Sequence, residues 1–159
     1  MEQGMKPEKA DLDTGLGAYA AWYRELFQLP AKGAGEYSPL VLAYLGDAVY
    51  EIAVRSYTVL QGNTQVEKLH KKTSSLVNAG TQAAIAHALK ETLSEEELTV
   101  LKRGRNAHSY TKAKNASTND YRWATGLEAL TGYLFLEGRY ERLTQLIHDG
   151  LVMTGNIPE

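Results

Sequence analysis

This sequence predicts an all-α fold of about six or seven helices, on three observations. Apolar residues recur at three-four spacing, and no segment alternates in the two-residue rhythm of a half-buried strand. Two helix starts are explicit, Ser38-Pro39 and Ser94-Glu95-Glu96-Glu97. Gly and Pro fall between the periodic runs, where they end one element and open the next.

At 159 residues the chain makes one domain with enough length to bury a core. It has no cysteine, which removes disulfides, thiolate metal sites and a thiol nucleophile. No apolar run is long enough to span a membrane, and the N-terminus lacks a basic-then-apolar signal pattern. A cytoplasmic protein without membrane contact is therefore expected. The net charge of −2 names no partner, but the charges are unevenly spread.

Residues 1–10 are polar and charged, and are expected to be loose. From Leu16 to Leu29 the spacing of Leu16, Tyr19, Ala20, Tyr23, Leu26 and Phe27 predicts an amphipathic helix, ended by Pro30, Gly33 and Gly35. Ser38 then caps a helix reaching Leu60, with Pro39 at the first position, where no amide bond is lost. That helix is apolar almost all round, which predicts burial on most faces or a partner pressed against it. In its middle sits Gly46-Asp47. Asp is a poor helix former, and a buried carboxylate without a partner is costly, so Asp47 needs a reason.

Gly62-Asn63 is a turn. A helix from about Thr64 carries Val66, Leu69, Leu76 and Val77, with Lys68, His70, Lys71 and Lys72 on its face. Ala79 to Leu89 predicts another. Ser94 to Glu97 is a capping box, and its helix is expected to end near Gly104. Arg105 to Thr118 has no periodicity and reads as a loop. Asn119 or Asp120 is expected to cap the next helix, which Gly138 ends before a last one over Tyr140 to Val152.

Lys102, Arg103, Arg105, His108, Lys112 and Lys114 crowd into one stretch without an acid. A solvated surface loop and an arm for nucleic-acid phosphates both fit it. Arg55, Lys68, Lys71 and Lys72 would extend the patch if they share its face. Glu128 repeats the context of Asp47: an acid in mid-helix among small and large apolar residues. Two such acids could converge on one cation, since Mg²⁺ keeps waters and needs only one or two carboxylates. Each could equally pair with a nearby Arg or Lys, or cap a neighbouring helix.

Tyr44-Leu45-Gly46-Asp47-Ala48-Val49-Tyr50-Glu51 resembles the signature helix of the ribonuclease III family, whose usual form is Glu-Phe-Leu-Gly-Asp-Ala-Val. Leu127-Glu128-Ala129-Leu130-Thr131-Gly132 resembles the second signature of that family, Asp-x-x-Glu-Ala-x-x-Gly-Ala. Leu69 to Ser74, Leu101 to Ala107 and Tyr121-Arg122-Trp123 point to its short bacterial branch, Mini-ribonuclease III, the nuclease domain alone. The likeness covers roughly residues 40–151. It implies an N-terminal extension over 1–37, a nuclease domain over 38–155 and no double-stranded-RNA-binding domain.

The resemblance implies a divalent-metal-dependent endoribonuclease that cuts double-stranded RNA and leaves 5′-phosphate ends. Asp47 and Glu128 would be its catalytic residues and ligands of Mg²⁺, with Mn²⁺ as a substitute. The wider family surrounds its metal with four acids. Ala43 and Thr125 stand at the other two positions, and Thr125 could hold a metal-bound water. RNA binding would fall to Arg103, Arg105, Lys112, Lys114, His70, Lys71 and Lys72. The family's homodimer would place Tyr44 and Leu45 at its interface. The expected substrate is precursor 23S ribosomal RNA, and a large-subunit ribosomal protein is an allowed further partner. A catalytically inactive RNA-binding descendant and a plain helical dimerisation module, its acids in salt bridges, are the two alternatives.

Overall fold

Ser38 and Pro39 open the longest helix of the computed structural model, which describes residues 18–107 and 118–159. Seven α-helices follow one another among the described residues, with no strand. They are α1 (Tyr19–Phe27), α2 (Pro39–Leu60), α3 (Val66–Val77), α4 (Ala79–Leu89), α5 (Glu95–Asn106), α6 (Thr118–Leu136) and α7 (Tyr140–Met153). The all-α expectation holds. No helix among the described residues is long and apolar enough to cross a membrane.

Most predicted boundaries hold for local reasons. Ser38 Oγ accepts the Val41 N–H at 3.4 Å, and Asn78 Oδ1 caps α4 through the Thr81 N–H at 2.9 Å. The Ser94–Glu97 box closes in both directions: Glu97 N–H donates to Ser94 Oγ at 3.1 Å and Ser94 N–H to Glu97 Oε1 at 2.8 Å. Gly138 ends α6 in the left-handed region at φ 72°, where glycine carries no Cβ penalty.

Three boundaries differ. α5 runs past Gly104 to Asn106, so Arg105 is helical and not the start of a loop. Gly104 stays in the helix because it packs against α6: a Cβ there would lie 2.7 Å from the Ala129 Cβ. Thr118 already opens α6, which places Asn119 and Asp120 inside its first turn. α3 starts at Val66, with Gln65 at its N-cap. Leu16, His108, Lys112 and Lys114 lie outside the described residues.

α6 is the hub, packed on α2, α5, α4 and α7. From Ala124 to Phe135 every residue is buried except Glu128. Glu97, itself buried, ties α5 to α7 by accepting Arg142 Nε and Nη2, both at 2.8 Å. A buried carboxylate survives there because Arg presents a two-pronged donor that matches it. α1 has no buried residue; Tyr19 tilts on Phe135 at 6.2 Å between ring centroids, and Arg24 donates to the Tyr37 hydroxyl at 3.2 Å.

Candidate active site

Two glycines set the site. A Cβ on Gly46 would lie 1.7 Å from the Glu128 carbonyl oxygen, and one on Gly132 would lie 2.1 Å from that of Leu42. α2 and α6 therefore meet backbone to backbone, which any larger residue at either position forbids. Glycine in a helix interior costs about 1 kcal/mol relative to alanine, and this contact is what offsets it. Asp47 follows Gly46 directly, and Glu128 carries the carbonyl that Gly46 touches. The crossing thus brings both carboxylates to one open groove of about 750 Å³, with Thr125, Tyr121, Ala43 and Glu51 also in its wall.

Asp47 is exposed, as are its neighbours Tyr44 and Ala48, so the helix expected to be buried on most faces or pressed against a partner leaves this face open. The helix is apolar all round, yet the chain covers only part of it. Glu128 is the half-buried member. Burial first, then the negative charge of Asp47 and a hydrogen bond with it, push the Glu128 carboxyl up to about 8. At neutral pH the Glu128 carboxyl thus keeps its proton. No Lys or Arg pairs with either carboxylate among the described residues, so the reading of both as salt-bridged structural acids is not what the fold provides.

Two carboxylates on one wall, the inner one kept protonated by burial and then by the charge of the other, fit a divalent cation with hard oxygen ligands. No cluster of three His, Cys, Asp or Glu that could hold a metal occurs among the described residues. Water and substrate phosphate would have to complete such a shell, as is usual for Mg²⁺. Thr125 Oγ1 donates to the Tyr121 carbonyl at 2.9 Å, which leaves its lone pairs free to accept from a water. Ala43 is buried and offers a methyl group only.

The described members of the predicted RNA-binding set do not gather at this groove. His70, Lys71 and Lys72 are exposed on α3. Lys72 donates to Gln61 and lies 5.5 Å from the centre of the Tyr57 ring. His70 shares a small cleft with Arg55. Arg103 is exposed in the last turn of α5, whereas Arg105 folds over the Trp123 ring, with its Cζ 5.0 Å from the centroid.

Glu51 was not singled out by its sequence context, although its four-residue step from Asp47 was a usable signal. It lines the groove and accepts Arg55 Nη2 at 2.9 Å. Asp47, Glu51 and Arg55 form one stripe along α2 that leads from the groove to the His70 cleft. The environment of Trp123, where His87 and Lys90 join Arg105, was equally invisible in the sequence, because it joins three helices.

The Ribonuclease III domain family matches residues 40–139. "Mini-ribonuclease 3" of Clostridium tetani is 51% identical over 111 residues, covering 69% of this chain and 74% of that protein. "Mini-ribonuclease 3" of Brevibacillus brevis is 47% identical over 116 residues, covering 73% and 87%. A crystal structure of a Fusobacterium nucleatum protein superposes with a TM-score of 0.67 at 32% identity, covering 77% of this chain and 96% of that one.

Proposed function

This chain belongs to the ribonuclease III family and is an endoribonuclease for double-stranded RNA; from that premise we propose that Asp47 and Glu128 form its divalent-metal site. The observation that carries this is the pair of carboxylates in one groove without a cationic partner, the inner one protonated. Asp47, exposed, is the ligand that meets cation and RNA first. Glu128 would release its proton to solvent to join it. Thr125 Oγ1 accepts from a water on the same wall. When bound, Mg²⁺ (or Mn²⁺) lowers the pKa of the attacking water and offsets charge developing on the phosphate and on the leaving 3′ oxygen.

The substrate track follows α2. From the groove, Arg55 and His70 continue the surface, with Lys71 beyond, and these would hold phosphates of the duplex. A-form RNA hides its base edges in a deep groove, so contacts of this kind read shape and backbone. Precursor 23S ribosomal RNA as the physiological duplex rests on the family resemblance alone, as does a large-subunit ribosomal protein as partner. The Lys112 and Lys114 assignments rest on sequence charge.

The enzyme works as a homodimer on this reading. Tyr44 is 85% exposed, Ile52 54% and Val41 51%, on a helix that also carries exposed Ala48 and half-buried Leu45. An apolar stripe of this kind on a soluble chain marks an interface. Tyr44 and Leu45 also line the groove, so a second copy on this face would set a second groove beside the first, one for each strand. Residues 1–37 would be an extension outside the nuclease domain of residues 38–155.

The test is cleavage of an end-labelled RNA duplex with Mg²⁺ and with EDTA. Mg²⁺-dependent cuts with 5′-phosphate ends are expected. Undiminished cleavage in EDTA would contradict the metal site.

A further inference from the structure

Trp123 stands two residues from Tyr121 and two from Thr125, both of which line the groove, so at 3.6 residues per turn it projects from the opposite flank of α6. There it collects side chains from two other helices. The His87 ring of α4 lies 4.0 Å from the indole between centroids, Lys90 Nζ at the end of α4 lies 5.8 Å from its centre, and Arg105 Cζ of α5 lies 5.0 Å from it. His87 and Lys90 are exposed, and Arg105 and Trp123 are half-buried.

Among the described residues no carboxylate pairs with His87, Lys90 or Arg105, and the Arg105 side chain donates to Asn106 Oδ1 at 3.1 Å. A cation at the last turn of a helix is locally favourable, by about 0.3–1 kcal/mol. That explains a basic residue at the end of α4 and another at the end of α5. It does not explain why both lie against one indole, whose ring attracts each of them. An anion bound beside the indole would supply the counter-charge that these side chains lack. A guanidinium fork, an ammonium and an imidazole together are the donor set that oxyanions, phosphates above all, select.

We propose that His87, Lys90 and Arg105, gathered by Trp123, form a phosphate-binding site for the RNA backbone, separate from the cleavage groove. The proposal rests on the double-stranded-RNA reading above and extends it to the far flank of α6. Arg105 belongs to the stretch from Lys102 to Lys114, which contains no acid. With a helix about 10–12 Å across, a phosphate at Trp123 is separated from one at Asp47 by roughly the width of α6. The site therefore takes RNA that flanks the cut, and not the scissile phosphate.

The chain has two tryptophans, Trp22 and Trp123, so Trp22→Phe leaves Trp123 as the only indole reporter. Its emission is followed while the full-length protein is titrated with an RNA duplex in EDTA, and separately with inorganic phosphate. The expected result is a saturable change with RNA whose midpoint equals that of binding. Lys90→Glu should weaken RNA binding by about tenfold and lower the salt slope by about one, while Lys90→Arg should bind as the parent does. His87→Gln gives a second, milder variant with the same direction. Unchanged emission, affinity and salt slope in Lys90→Glu overturn the site, and saturation by inorganic phosphate without any response to RNA overturns its assignment to RNA. Cleavage by the parent protein is scored on the same duplex with Mg²⁺. A parent that cuts, beside variants that bind unchanged, sinks this site alone; a parent that binds through Trp123 and never cuts sinks the enzyme reading and leaves the site standing.

Discussion

Gly46 rests on the backbone carbonyl of Glu128, so closely that a Cβ on Gly46 would stand 1.7 Å from that oxygen. The same contact that joins α2 to α6 sets the separation of the two acids flanking it. Gly46→Ala must therefore push the helices apart. Helix propensity favours alanine by about 1 kcal/mol, but overpacking against backbone costs about 1–3 kcal/mol or more, and the second effect wins. A lower denaturation midpoint is expected, together with loss of cleavage beyond what the stability change explains. An unchanged midpoint with full activity would show that the crossing is not this tight.

Glu97 makes stability fall in acid. The hydrogen bond from Arg142 holds its carboxyl at about 2, against the ordinary 4.5, with help from the Ser94 N–H and in opposition to burial. A depressed carboxylate contributes stability that is complete above the unfolded value and is lost as pH falls through the folded one. The window is thus about pH 4.5 down to about 2, with up to about 3 kcal/mol at stake. Arg142→Ala should remove most of this dependence and destabilise the protein at pH 7 by about 3 kcal/mol, because Glu97 stays buried without its partner. Urea unfolding at pH 7, 4 and 3 measures both.

Glu128 should couple metal binding to protons. Its carboxyl titrates at about 8 without a cation, so below that pH binding must displace a proton. Apparent Mg²⁺ affinity should rise by up to about tenfold per pH unit toward 8 and then level off. Calorimetry in two buffers of different ionisation heat should detect about one proton released per cation at pH 7. Proton-independent binding would mean that Glu128 is not a ligand.

Tyr44 tests the assembly. Placing a charge on its exposed ring position, as Tyr44→Glu, should yield a monomer by sedimentation with a folded, helical spectrum. A parent chain that sediments as a monomer at micromolar concentration would remove the dimer from the proposal.

Much of the fold was legible because its signals are local. Ser38-Pro39, the Ser94–Glu97 box and Gly138 act within one turn, and each does in the structure what its chemistry predicts. The misjudged boundaries are tertiary: Gly104 reads as a helix end, but α6 packs on it and the helix continues to Asn106. At the site, Asp47 and Glu128 stood out because carboxylates in apolar helices are anomalous. Their shared groove depends on Gly46 and Gly132 joining α2 to α6, a contact between residues far apart in the chain. Arg105, read as part of a loop, is instead drawn to Trp123, and no spacing in the chain encodes a contact among three helices.

The central claim is that Asp47 and Glu128 act as one unit on one phosphodiester. Single-turnover cleavage of an RNA duplex at saturating Mg²⁺ by the parent, Asp47→Asn, Glu128→Gln and the double variant tests it most directly. Each single change should slow cleavage by about 10³-fold, roughly 4 kcal/mol of transition-state stabilisation, and the double variant should be little slower than either. Either single variant cutting within tenfold of the parent, or losses that multiply in the double variant, would contradict it.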